Sequence, residues 1–187
     1  PGHTSETATN VQTSGCEPVS DSDVLPWTHV SQLQARELCA KAGKRLPSPE
    51  EWFAAALGTM ESGCYLDEAA VQPTGSSECI SGMGVYDMVG NVWEWVDAGV
   101  TNGVYAGREL PPSGYVESAD EAGVALLTAT HTSPQFYDDY FWSPDRSPTA
   151  MMRGGFYSSG PDGGIYAVYT DVTPDFAGQA IGFRCVL

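Results

Sequence analysis

The chain has little positive charge. Its 187 residues include 8 Lys and Arg against 24 Asp and Glu, for a formal net charge of −16. Because binding to phosphate backbones requires a footprint of Lys and Arg, this balance excludes sequence-independent nucleic-acid binding. It also argues against docking on an anionic membrane, and the sequence contains no apolar run long enough to span a bilayer. The length indicates a single domain with room for a sizeable core.

The five cysteines include no Cys-x-x-Cys pair, which argues against a zinc site or a thioredoxin-like redox centre. Cys64 and Cys79 bracket a short loop rich in Gly, Ser, Thr and Pro, a pattern that predicts a local disulfide. A bridge between Cys39 and Cys185 would tie the C-terminus to an early helix; the alternative is that these cysteines are buried free thiols. Cys16 is left over in a polar segment. If the bridges form, the compartment is oxidising: extracellular, cell-surface or virion-associated.

Two helices are predicted early in the chain. The first runs from Ser31, its N-cap, to Gly43, its terminator, with Leu33, Leu38 and Cys39 facing inward. The second is capped by Ser48, and the proline and two glutamates that follow suit a first helical turn.

The rest of the chain predicts short strands and much irregular loop. Residues 1–20 are polar and predict a flexible N-terminal tail, which leaves a single domain at residues 21–187. Alternation around Trp93 and Trp95 predicts a short strand, whereas residues 97–150 carry few signals. Two helices followed by short strands indicate an α+β fold.

Four segments, in this order and spacing, resemble one family. They are Ala42–Trp52, Gly84–Trp95, the Arg-Gly-Gly at 153–155 and the Ile-Gly-Phe-Arg at 181–184. Together they are similar to the formylglycine-generating enzyme (sulfatase-modifying factor) domain. The resemblance covers roughly residues 25–187 and implies a variant of the C-type lectin-like fold. It also supports the Cys39–Cys185 pairing, since similar positions are bridged in some members.

The resemblance does not carry the family's oxidase chemistry over to this chain. That chemistry uses two redox cysteines that bind copper as thiolates, and their positions fall on Ser159 and Gly164. The family's iron enzymes use a histidine cluster, whereas His3, His29 and His131 are widely separated here. We therefore expect no enzyme activity of these kinds, and no copper, iron or organic cofactor.

One metal hypothesis remains. Family members bind calcium around the segment that matches Asp87, Gly90, Val92 and Glu94, whose carboxylates and backbone carbonyls are hard oxygen ligands of the kind that Ca²⁺ prefers. The alternative is that Glu94 makes structural hydrogen bonds without a metal.

The segment Arg153–Gly178 has a restricted composition. It contains no Lys, Glu, Gln, Met or Trp. These five are the types that an AAC codon cannot reach when its two adenines are randomised. The pattern resembles the variable protein of a diversity-generating retroelement, in which adenine-specific mutagenesis rewrites the C-terminal end of a lectin-fold protein. The segment is rich in Tyr, Ser, Gly and Asp, as antibody loops are.

The resemblance implies a non-catalytic ligand-binding, receptor-binding protein with a variable region at residues 156–180. Its target would be a protein or glycan on a cell or virus surface. The candidate contact residues are Tyr157, Ser159, Asp162, Tyr166, Val168, Tyr169, Asp171 and Phe176. Which alternate residues of 165–171 face outward depends on strand register. The alternatives are another non-catalytic binding or scaffold role, a catalytically inactive family member, and an unrecognised enzyme of the family.

Overall fold

The structure is a computed structural model that describes residues 17–75 and 78–187. Residues 1–16, which hold most of the predicted tail and Cys16, lie outside the described residues. The helices are α1 (Gln32–Lys41) and α2 (Pro49–Ala56), and three single 3₁₀ turns lie at Glu61–Gly63, Pro134–Phe136 and Gly160–Asp162. The strands are β1 (Trp93–Val100), β2 (Val104–Tyr105), β3 (Arg108–Glu109), β4 (Gly114–Ala119), β5 (Ala125–Ala129), β6 (Tyr140–Trp142), β7 (Thr149–Arg153), β8 (Val168–Val172) and β9 (Ile181–Phe183).

Both predicted helices are confirmed, and each begins with a capping box. The Ser31 hydroxyl accepts from the Gln34 backbone N–H at 3.2 Å, and the Gln34 side chain accepts from the Ser31 N–H at 3.0 Å. Ser48 and Glu51 form the same reciprocal pair at the start of α2. The inward-facing set was predicted correctly for Leu38 and Cys39, which are buried. It was wrong for Leu33, which is 48% exposed.

A seven-stranded sheet forms the centre of the fold, in the order β5-β4-β6-β8-β7-β1-β9. Strands β6 and β8 pair in parallel, as do β1 and β9, and the other neighbours are antiparallel. The segment 97–150, which carried few signals, supplies β2 to β6 and the start of β7. A sheet this mixed with two helices confirms the α+β prediction.

Apolar layers cover both faces of the sheet. On one face α2 contributes Trp52 and Phe53 to a core with Phe141 and Val168. On the other face α1 contributes Leu38 and Cys39 to a core that contains Trp93, Trp95, Met152 and Ile181. Strand β7 is buried along its whole length because it lies between these two layers.

Both predicted disulfides are formed. Cys39 in α1 is bonded to Cys185, 146 residues away in sequence, and Cys64 is bonded to Cys79 across 15 residues. The first bridge therefore fastens the C-terminal end of the chain, directly after β9, to the first helix.

Candidate functional site

The restricted segment leaves the core at a buried pair of glycines. Gly154 has φ of 92° and Gly155 has φ of 84°, a region that side-chain-bearing residues rarely adopt. A Cβ at Gly154 would lie 2.7 Å from the Met88 carbonyl oxygen and 3.1 Å from the Trp52 ring. The chain can therefore turn from β7 onto the surface only with glycine here.

Arg153, the last residue of β7, anchors the start of the segment from within. Its side chain is fully buried and donates to the carbonyl oxygens of Ala122, Gly123 and Ile165 at 2.8, 3.3 and 2.8 Å. Its guanidinium carbon lies 4.8 Å from the Trp52 ring centroid, in cation–π geometry. Burial lowers the pKa of Arg153 to about 10, so the side chain remains charged at neutral pH.

The segment's far end is held by a buried ion pair. The Arg184 guanidinium donates to both carboxylate oxygens of Glu94, at 2.6 and 2.5 Å. The Trp52 indole N–H also donates to Glu94, at 2.7 Å. Three of the four motifs that carry the family resemblance therefore meet at one carboxylate.

These bonds bear on the predicted calcium ligands Asp87, Gly90, Val92 and Glu94. Glu94 already has its charge matched by Arg184, and the Asp87 carboxylate accepts from the Gly75 N–H at 2.6 Å. Within residues 17–75 and 78–187, no group of three or more His, Cys, Asp or Glu side chains is arranged to hold a metal ion. The bonds of Glu94 agree with the alternative of a structural carboxylate, and the calcium ion stays an untested prediction.

Ser159 and Gly164, on which the resemblance predicts that the family's two cysteines fall, both lie in close local contacts. The Ser159 hydroxyl accepts from the Phe156 backbone N–H at 2.9 Å. A Cβ at Gly164 would overlap the Asp139 carboxylate and lie 2.5 Å from Glu61 Oε1. A side chain at 164 is thus incompatible with the observed packing.

Glu61 and Asp139 form a carboxyl pair beneath the segment. Asp139 Oδ2 accepts from the Tyr166 N–H at 2.6 Å, and Glu61 Oε1 accepts from the Ile165 N–H at 3.2 Å. Asp139 Oδ1 is buried and has no hydrogen-bond partner among the described residues. Burial raises the pKa of Glu61 to about 7, and burial together with the Glu61 charge raises the pKa of Asp139 well above its usual value.

Of the eight predicted contact residues, seven are partly exposed and one is not. Val168 is fully buried in the core with Phe141, its register partner in β6, so its prediction as a contact was wrong. Along β8, Val168, Thr170 and Val172 are buried and Tyr169 and Asp171 are partly exposed. The register with β7 shifts between Tyr169 and Val172, and Val172 lines the cavity beside Tyr169. Because consecutive side chains in a strand point to opposite faces, Val168 faces away from Tyr169.

The partly exposed residues do not form one cluster. Tyr169 and Phe176 line one cavity of about 260 Å³. Tyr166 instead packs against Phe53 and Phe136, with ring centroids 5.2 and 5.0 Å away. Tyr157 reaches the cavity's rim through its hydroxyl, which accepts from the Gln179 side chain at 3.3 Å. Asp171 is held in an ion pair with Arg146 at 3.1 Å.

Sequence reasoning missed the aromatic residues that surround this cavity. Phe156 and Trp93 line it together with Tyr169 and Phe176. A row of rings leads away from it across the sheet: Trp93–Tyr169 at 5.8 Å, Tyr169–Trp142 at 5.6 Å, Trp142–Tyr140 at 4.7 Å and Tyr140–Tyr115 at 5.2 Å between centroids. Phe156 carried a signal, because it is the first residue of the predicted variable region 156–180, whereas the row of rings depends on strand pairing.

The fold and the site together define a lectin-like scaffold with a C-terminal segment that places aromatic side chains around an apolar cavity. The family described as "Sulfatase-modifying factor enzyme 1-like domain" matches residues 2–82 and 67–187, and the chain belongs to this family. The predicted family and its C-type lectin-like fold are thereby confirmed.

Individual relatives agree with this assignment. "Inactive C-alpha-formylglycine-generating enzyme 2" of Bos taurus is 32% identical over 121 residues, which cover 51% of this chain and 40% of that protein. Among solved structures, "Major Tropism Determinant P3c Variant" has a TM-score of 0.55 at 22% identity, covering 97% of this chain and 42% of its own. "Treponema denticola variable protein 1" has a TM-score of 0.55 at 15% identity, covering 91% and 74%. At these identities the structures show a shared fold, and this chain spans less than half of the bovine relative's length.

Proposed function

We propose that the chain is a non-catalytic ligand-binding protein of the receptor-binding kind, whose surface at residues 156–180 is diversified by a retroelement. The observation that carries this proposal is that the restricted segment divides into partly exposed positions and buried positions. Tyr169 and Phe176 lie partly exposed at one cavity and the partly exposed Tyr157 bonds to Gln179 of its lining, whereas Arg153 and Val168 are fully buried. Variation would change the contact surface while the buried anchors keep the fold.

The scaffold suits such variation. Its two anchors, the Arg153 hydrogen bonds and the Glu94–Arg184 ion pair, lie on either side of the segment, and the Cys39–Cys185 disulfide closes the chain just beyond it. Surface substitutions away from buried features usually change the free energy of unfolding by less than about 0.5 kcal/mol. The names of the solved neighbours, a tropism determinant and a variable protein, also agree with a recognition role.

The absence of catalysis is part of the proposal. Ser159 and Gly164 supply no thiolate for copper, and a side chain at 164 would collide with Asp139. The bovine relative is itself named as inactive. Turnover of a cysteine-bearing sulfatase peptide, or specific copper binding, would contradict this part and favour an enzyme of the family.

The proposed target is a protein or glycan on a cell or virus surface, met in an extracellular, cell-surface or virion setting. Two disulfides are typical of oxidising compartments. In the described part of the chain, neither helix has the length and apolar content that crossing a bilayer demands.

The decisive genetic test is the DNA that neighbours the coding sequence. We expect a near-copy of the segment for residues 153–185 beside a reverse-transcriptase gene, with adenines in the copy wherever the two differ. Differences spread over all four bases would contradict diversification.

A protein-level test uses two libraries built with the NNC codon, in which N is any base. One library varies exposed positions of the segment: Tyr157, Asp162, Tyr169, Asp171 and Phe176. The control library varies buried positions: Arg153, Gly154, Val168 and Ala177. We expect most members of the first library and few of the second to fold, as measured by protease resistance on display. Equal folding in the two libraries would overturn the proposed partition.

A further inference from the structure

Four aromatic rings line the cavity of about 260 Å³ beside β8, those of Trp93, Phe156, Tyr169 and Phe176. Aliphatic side chains complete the apolar lining: Met152, Val172, Ala180 and Ile181. Trp93 and Tyr169 are tilted by 58° with centroids 5.8 Å apart, so their rings lie on adjoining walls rather than in a stack. An aromatic ring carries a negative π face, so a cavity lined by four rings offers several such faces to a ligand.

The cavity has an uncharged lining, and the charged groups near Tyr169 are acidic on balance. Among the described residues that line it, the polar side-chain groups are those of Trp93, Tyr169 and Gln179. The segment 154–178 contains three aspartates and no Lys, Arg, Glu or His. The nearby Arg146 bonds to both Asp145 and Asp171, at 3.0 and 3.1 Å, so this cluster is acidic overall.

These two features favour one ligand chemistry. A cation over an aromatic face is attracted by the ring quadrupole, and the attraction is strongest where the cation is desolvated. The chain's net charge of −16 adds a long-range attraction for cations. An anionic ligand has no basic group to meet in the lining, and a neutral apolar group gains only the burial of its surface.

The size of the cavity limits what enters it. Pockets that enclose whole small-molecule ligands measure about 300–1,000 Å³. A cavity of about 260 Å³ suits one group of a larger ligand.

We propose that this aromatic cavity binds the alkylammonium group of the target. The inference rests on the proposed function, since the cavity belongs to the same surface, and it adds the chemistry by which this particular variant recognises its ligand. Phe156, Tyr169 and Phe176 lie in the restricted segment and Trp93 does not, so the cavity combines a constant wall with exchangeable ones.

The test compares choline with its neutral isostere 3,3-dimethyl-1-butanol by calorimetry and by the fluorescence of the cavity tryptophan. We expect saturable choline binding at least ten-fold tighter than that of the alcohol, which has the same shape without the charge. Equal binding of the two would show a merely apolar cavity and overturn the proposal, and so would the absence of choline binding.

A substitution distinguishes the contribution of an aromatic ring to choline binding from that of apolar side-chain volume. Phe176→Leu keeps an apolar wall but removes a ring face, and we expect it to weaken choline binding about 3- to 30-fold. Tyr86→Leu, which alters an exposed ring outside the cavity lining, is the matched control and should leave choline binding unchanged. Unchanged affinity in Phe176→Leu would contradict the proposal. The wild-type comparison above stands even if the variant fails to fold.

A third arm identifies the source of the group. Tighter binding of lysine amide than of choline would indicate a lysine side chain of a protein target, and the reverse order a quaternary ammonium headgroup. All these titrations are independent of the neighbouring DNA. A missing template copy with intact choline binding would refute diversification alone, and the opposite pair of results would refute the ammonium site alone.

Discussion

Arg153 and Glu94 are charged residues that the fold uses where most proteins place apolar ones. The Arg153 guanidinium donates hydrogen bonds to three loop carbonyls, and the Glu94 carboxylate accepts three hydrogen bonds from Trp52 and Arg184. When one partner of such a set is removed, the unpaired group lowers the free energy of unfolding by more than the intact set contributes to it. Packing and hydrogen bonding therefore account for the motifs around these residues.

Arg153→Lys tests this explanation. A lysine cannot reproduce the planar fork that reaches three carbonyls, so we expect a loss of about 2–4 kcal/mol in the free energy of unfolding, measured by urea denaturation. Arg36→Lys, which changes an exposed pair with Asp97, is the control and should cost less than about 0.5 kcal/mol. Similar losses in both variants would refute the anchoring role of Arg153.

The carboxyl pair of Glu61 and Asp139 predicts a pH dependence of stability. Both pKa values are raised in the folded protein, that of Glu61 from 4.5 to about 7, by burial and, for Asp139, by the Glu61 charge. The folded state therefore binds more protons than the unfolded chain, and stability falls as the pH rises from about 4.5 through about 7. Arg153 and the Tyr166 N–H oppose part of this shift at Asp139.

Asp139→Asn tests how much of the pH dependence of stability comes from this pair rather than from other titrating groups. The amide keeps an oxygen for the Tyr166 N–H and places an uncharged donor toward Glu61, so repulsion at high pH is removed. We expect the loss of roughly 1–2 kcal/mol between pH 5 and 8 to become smaller in the variant, as measured by urea midpoints at each pH. Parallel profiles of stability against pH for the two proteins would show that the pair does not cause the pH dependence.

At the scale of elements, strand β8 decides which residues of the restricted segment meet solvent. Its sequence alternates weakly, with apolar or aromatic residues at both Val168 and Tyr169. Pairing with β6 in parallel and β7 in antiparallel register turns Val168 to the core and Tyr169 outward. A shift by one residue would exchange the two faces.

Val168→Ser and Tyr157→Ser compare two changes that NNC codons allow. Val168→Ser leaves a small cavity and a buried hydroxyl, so we expect a loss of about 2–4 kcal/mol in thermal or urea unfolding. Tyr157→Ser changes a partly exposed residue and should cost less than about 1 kcal/mol. The opposite order would show that the register of β8 is wrong.

The whole molecule is closed by two disulfides of very different span. In the chain-entropy account a bridge across 15 residues stabilises by about 3 kcal/mol and one across 146 residues by about 5 kcal/mol. The longer bridge also holds β9, the sheet's edge strand beside β1, through the residues that follow it.

Removing each bridge should therefore have unequal effects. We expect the Cys39→Ala, Cys185→Ala double variant to lose more stability than the Cys64→Ala, Cys79→Ala double variant, with losses of about 2–5 kcal/mol in each case, measured by urea denaturation under identical conditions. A larger loss from the local bridge would mean that strain or residual structure, rather than span, governs their contributions.

The sequence alone determined the local features of this protein. Both capped helices and the Cys64–Cys79 disulfide followed from residues close in sequence, because caps and turns depend on neighbouring residues. The family, its fold class and the support for the Cys39–Cys185 pairing came from the resemblance of four motifs in a fixed order. Tertiary structure alone decided the sheet order, the burial of Val168, the convergence of Trp93 and Phe156 with Tyr169 and Phe176, and the Glu61–Asp139 pair. Each of these joins residues distant in the chain, and strand pairing is set by the packing of both sheet faces rather than by local pattern.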